Sequence, residues 1–232
     1  MAACGDGGAD TSVPGPILAG PVETSTTTTT TTIEVKTTQL EDTATTPLPA
    51  EDGPGSIGFV GCSMSRGAVA GYELVGGTRF WPERIGYGGG SIGRWASAIT
   101  NEGTRYWEEF ERELVAHPDT RAVWWNLCTF KGSNADSYDS AVEVLDEIES
   151  RLPGVVVYVS AQPAYGGGHV CALAGEGGPA LMDEVARRLV DDGRVEAGPA
   201  MGPLAASETS DGCHVNDTGK ELLGGQLLEF FG

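Results

Sequence analysis

The sequence is poor in positive charge. Its 232 residues carry 14 Lys and Arg against 33 Asp and Glu, a formal net charge of −19. Residues 1–52 hold eight acidic residues against Lys36 alone, which leaves −12 on the remainder, so the excess is not confined to one tail. A chain this acidic repels polyanions, which argues against nucleic acid and anionic membrane surfaces as partners. No apolar run approaches the roughly 18 residues of a transmembrane helix, so no spanning segment is expected. No C-x-x-C spacing occurs, so zinc is not expected, and neither metal nor cofactor is called for. Histidine is scarce, with only His117, His169 and His214. That leaves few side chains to act as a base near neutral pH.

Glycine, by contrast, is abundant at 35 residues, in runs that suit loops rather than a collagen repeat. Residues 1–54 are rich in Thr, Pro, Gly and acidic residues, with seven consecutive threonines at 26–32. Such a segment buries too little apolar area to offset its chain entropy and reads as a disordered tether. It starts with Met1-Ala2-Ala3-Cys4-Gly5, which looks like the end of a bacterial lipobox whose cysteine becomes lipidated. A lipid on Cys4, a tether over 1–54 and one domain over 55–232 would make an extracytoplasmic lipoprotein of the cell surface, or a secreted protein.

The domain is organised around Ser56-Ile57-Gly58-Phe59-Val60-Gly61-Cys62-Ser63. Ile57, Phe59 and Val60 form a short apolar run, as a buried parallel strand requires. Gly58 and Gly61 permit close packing and unusual backbone at its end. The serine after it would lie at the C-terminal sheet edge, where open α/β folds hold ligands. A core strand followed by a helix-capping serine fits the same residues. Near the other end, Asp211-Gly212-Cys213-His214 sets an acid and a histidine three apart, just before a final apolar helix.

A strand-end serine far upstream of a D-x-x-H motif resembles the SGNH (GDSL-type) hydrolase family over residues 55–232. The resemblance implies a Ser63–His214–Asp211 triad and hydrolysis of carboxylic esters through an acyl-enzyme. It also implies a flavodoxin-like, three-layer α/β/α sandwich with a central, mostly parallel five-stranded sheet. The substrate class it implies is a small acyl or acetyl ester, as a small molecule or linked to a polysaccharide, turned over by a monomer without cofactors. In the family, an oxyanion hole is completed by a glycine after the second strand and by an Asn in a G-x-N-D motif. Gly93, in Ser91-Ile92-Gly93, fits the first best, with Gly90 second. The second departs from pattern: without a shift Cys128 takes the Asn position, with a two-residue shift Asn126 does, and Asn134 is a later candidate. Asn126 is preferred. Cys62 stands where the family has Asp before its serine. These departures leave open a catalytically weak surface binding module on the same fold.

The remaining chain alternates strand and helix patterns, which predicts a parallel sheet covered by helices. Strands are expected at Thr78–Trp81, Ala122–Cys128 and Val155–Val159, with a short last one at Val195. Tyr106, Trp107, Phe110 and Leu114 mark one amphipathic helix, and Ala141, Val144, Leu145 and Ile148 another. The loop Gln162–His169 is expected to wall the pocket near Ser63. With Cys4 set aside, four cysteines suggest two disulfides in an exported protein. Of three pairings, the implied fold favours Cys62–Cys128, at neighbouring strand ends, and Cys171–Cys213, in loops at the same edge.

Overall fold

The computed structural model describes residues 53–82, 87–101 and 105–232. The tether expected over 1–54, with Cys4 and the threonine run, lies almost wholly outside the described residues. The described chain is α/β. Four strands, β1 (Ile57–Val60), β2 (Ala122–Leu127), β3 (Val156–Ala161) and β4 (Glu196–Ala197), form one parallel sheet in the order β1-β2-β3-β4. Val60 pairs with Trp125, and Trp125 with Val159; β2 and β3 then run two residues beyond the end of β1 and stop together at Leu127 and Ala161.

Both β1 and β2 are buried along their whole length, which is why they read as near-continuous apolar runs, broken in β2 only by Asn126, rather than alternating ones. Trp124 and Trp125 are fully enclosed. The β4 strand has two exposed residues, a short edge of the kind that resists pairing with other chains. Val195, expected within the last strand, is buried immediately before it.

The expected fifth strand is corrected. Around Thr78–Trp81 only Phe80 pairs with β1, as an isolated parallel bridge to Ile57. Pro82 follows directly and has no N–H to extend a ladder. Among the described residues the sheet therefore has four strands, not five.

Six α-helices are found among the described residues: α1 (Ser63–Leu74), α2 (Ile92–Thr100), α3 (Arg105–Ala116), α4 (Tyr138–Arg151), α5 (Gly178–Asp191) and α6 (Asp217–Phe231). The apolar stripe of α3 buries Tyr106, Trp107 and Phe110, and that of α4 buries Ala141, Val144, Leu145 and Ile148. Helix α1 packs closely along α6. A Cβ on Gly71 would lie 1.8 Å from the Lys220 carbonyl oxygen, so this approach depends on glycine. That contact brings the two ends of the domain together: α1 opens with Ser63, and α6 follows the segment carrying His214. No described helix is long and apolar enough to cross a membrane.

Candidate active site

The turn between β1 and α1 positions Ser63. Gly61 has φ of +149°, and a Cβ there would lie 2.0 Å from Ser65 Oγ and 2.7 Å from the Asn126 carbonyl oxygen. Only glycine fits between a strand end and a helix start this close. Cys62 is the N-cap of α1: its sulfur accepts from the Met64 N–H at 3.4 Å, and Ser65 Oγ accepts from the Cys62 N–H at 2.9 Å. Ser63 is thus the first helical residue, and its N–H is one of the amides left without an intrahelical acceptor. The positive end of the helix dipole lies there too.

His214 Nε2 lies 2.9 Å from Ser63 Oγ, and His214 Nδ1 lies 2.7 Å from Asp211 Oδ2. The other oxygen of Asp211 accepts from the N–H groups of Cys213 (2.9 Å) and His214 (2.7 Å). These bonds to the ionised form, led by that from the His214 ring, hold the Asp211 carboxyl down at about 2. The carboxylate therefore stays charged and fixes Nδ1 as the protonated nitrogen, leaving Nε2 free to accept from the serine. Sequence and fold bring together three residues separated by 151 positions.

The segment carrying Asp211 and His214 is anchored from the side. Cys213 is bonded to Cys171. Tyr165 Oη donates to the Cys213 carbonyl at 3.1 Å, and His169 Nε2 donates to the Gly212 carbonyl at 2.9 Å. Burial, with the Asp211 charge nearby, pushes the Tyr165 phenol up to about 12, so it remains a donor at any ordinary pH. The second disulfide joins Cys62 to Cys128, tying the residue before Ser63 to the end of β2. Both pairings favoured from the sequence are present. Four cysteines held in two bridges fit an oxidising, extracytoplasmic compartment.

The two expected oxyanion donors are placed elsewhere, and this corrects the sequence reading. Gly93 N–H donates to Asp136 Oδ1 at 2.7 Å. A Cβ on Gly93 would lie 2.5 Å from that of Ala135, so this glycine serves packing of α2 against the loop before α4. Asn126 is 1 % exposed; its Nδ2 donates to the Ala161 carbonyl at 2.8 Å, and its Oδ1 accepts from Ser65 Oγ at 3.3 Å. Its second amide hydrogen points to the Ser160 carbonyl at 3.5 Å, so it links three elements beneath the sheet edge and both of its donors face β3 carbonyls. Gly90 is likewise a packing residue, its would-be Cβ lying 2.2 Å from the Gly61 carbonyl oxygen.

Sequence reasoning missed Gly89. It lines a cavity of about 260 Å³ together with Ser63, His214 and both disulfides. Its φ of +77° places it third in the turn Tyr87–Gly90, closed by the Gly90 N–H to the Tyr87 carbonyl at 3.0 Å. Among the described residues, none accepts the Gly89 N–H. The signal was present in the run Gly88-Gly89-Gly90, but nothing in it distinguishes which amide is left free. Asp136 was missed as well. It is 3 % exposed, and besides Gly93 it accepts from Thr129 Oγ1 (2.9 Å) and the Phe130 N–H (3.1 Å). Gln162 and Tyr165 do line the cavity, from the loop expected to wall it.

Comparison of the chain with protein-family models, with curated proteins and with solved structures finds no match in any of the three. A functional reading therefore rests on the residues and their geometry.

Proposed function

We propose that this protein is a serine esterase of the SGNH type. The observation that carries the reading is the unbroken hydrogen-bond chain from Ser63 Oγ through His214 to Asp211. The parallel sheet with six helices is compatible with the three-layer α/β/α arrangement of that family. In the proposed reaction His214 Nε2 takes the proton from Ser63 as its oxygen attacks the ester carbonyl. The same proton then passes to the leaving alcohol as the carbon–oxygen bond breaks. Water, activated by His214, hydrolyses the acyl-enzyme. Asp211 stabilises the imidazolium formed in both steps. The N–H groups of Ser63 and Gly89 are the proposed oxyanion donors, one such donor being worth about 3–4 kcal/mol in the transition state.

The protein acts on carboxylic esters, free or linked to polysaccharide, as a monomer held outside the cytoplasm as a lipoprotein or secreted. The test is hydrolysis of p-nitrophenyl esters by wild type, Ser63→Ala and His214→Ala. Each substitution lowers kcat by at least about 10⁴-fold, as expected when members of a triad act as a unit. Near-wild-type turnover by either folded variant overturns the proposal.

A further inference from the structure

Ser63 and His214 face two cavities of different character. On one side, a cavity of about 250 Å³ is lined by Arg66, Gly67, Ala70, Val215 and Lys220. On the other, the cavity of about 260 Å³ has a lining dominated by Met64, Phe130, Leu173 and Ala174 with the sulfur atoms of the two disulfides. Resting on the esterase reading, we propose that the second cavity is the acyl pocket and that it takes a straight acyl chain of six to eight carbons rather than acetyl.

Three observations set that length. First, the cavity runs across the sheet edge. Ser63 follows Val60 by three residues and Gln162 follows Val159 by three, and Val60 and Val159 are in register through Trp125. The ends are linked in the same order, Cys62 to Cys128 by the disulfide and the Thr129 N–H to Gln162 Oε1 at 3.1 Å. Two strand spacings make this roughly 10 Å. An extended chain covers roughly 3.5 Å per three bonds, so this span is about eight bonds. Second, an apolar cavity of about 150 Å³ holds one benzene, so 260 Å³ has room for about ten non-hydrogen atoms. Third, the pocket meets its neighbour at shared side chains. Gln162, Tyr165 and Cys171 separate this pocket from a cavity of about 710 Å³ along α5, whose lining includes neither Ser63 nor His214.

The lining also decides which half of the ester goes where. Hydrocarbon gains from contact with Met64, Leu173 and the disulfide cysteines, whereas the other cleft, lined by Arg66 and by Lys220 in its ion pair with Asp217, offers the more polar surroundings for an alcohol. His214 lines both cavities, as a base that must serve the serine and then the leaving oxygen.

The test is kcat/KM for p-nitrophenyl esters from acetate to palmitate on the whole protein. Each buried methylene is worth up to about fourfold, so hexanoate should exceed acetate by at least tenfold, and activity should fall beyond decanoate. Leu173, 49 % exposed at the rim, can be enlarged without disturbing the core. Leu173→Trp should lower the octanoate-to-acetate ratio at least tenfold. A profile that is flat, falls from acetate or climbs through palmitate overturns the assignment, as does an unchanged ratio in Leu173→Trp. A small fluorophosphonate probe separates this from failure of the esterase reading. Ser63 labelled with a flat chain-length profile rejects the pocket alone, whereas unlabelled Ser63 in folded protein rejects both.

Discussion

Replacing Cys171 and Cys213 together by serine removes a bridge between positions 42 apart in sequence. If the bridge acts by constraining the unfolded chain, closing a loop of about 43 residues removes roughly 13 cal/mol/K, or about 4 kcal/mol at 25 °C. In a domain of about 180 residues, 1 kcal/mol moves the melting temperature by about 2–4 °C, so a fall of about 8–16 °C is expected. Function should suffer less. The Tyr165 and His169 bonds to the Cys213 and Gly212 carbonyls do not need the sulfur atoms, nor do the two amides that bind Asp211. Well below its melting temperature the variant should therefore keep kcat/KM within about tenfold of wild type. Scanning calorimetry and ester hydrolysis at 25 °C measure the two quantities. A melting temperature within about 2 °C of wild type would refute the loop-closure argument. A loss of more than about 100-fold in a folded variant would refute the claim that the remaining contacts hold His214.

Asn126→Ala should destabilise the domain by about 1–3 kcal/mol in denaturant titration, because the Ala161 carbonyl and Ser65 hydroxyl lose a buried partner. Its kcat should stay within tenfold, against the 10²–10³-fold loss expected on removing an oxyanion donor. Asp211→Asn should lower kcat by about 10⁴-fold, since an amide no longer holds Nδ1 protonated and Nε2 receptive. The depressed Asp211 carboxyl contributes stability that is present above its unfolded value, about 4, and lost as pH falls through about 2. Melting curves should therefore show a decline over that window that is missing in Asp211→Asn. The decline should be small, because the Asp211 side chain is 53 % exposed.

The strands and helices that were legible in the sequence are those whose burial leaves an unambiguous period. The 3.6-residue stripes of α3 and α4 point to helix directly, and the short runs of β1 and β2 point to strand by their length and their β-branched and aromatic content. Phe80 was different: its apolar neighbours suggest a strand, but pairing stops at one bridge, next to a proline. The Ser63, Asp211 and His214 positions were legible because a D-x-x-H segment before a helix is a local pattern. The amide donors were not, since whether an N–H is free depends on partners far away in sequence. Gly93 looked available until Asp136, 43 residues on, claimed its amide. Asn126 looked suitable by residue type, yet a polar side chain this buried must satisfy its own bonds, and its partners come from α1 and β3.

The central claim is that Ser63 is an activated nucleophile. Purified protein treated with a fluorophosphonate probe, digested and analysed by mass spectrometry addresses it without knowledge of the substrate. The account predicts one adduct, on Ser63, that disappears in His214→Ala. A folded protein that takes up no probe, or labels equally well without His214, would contradict it.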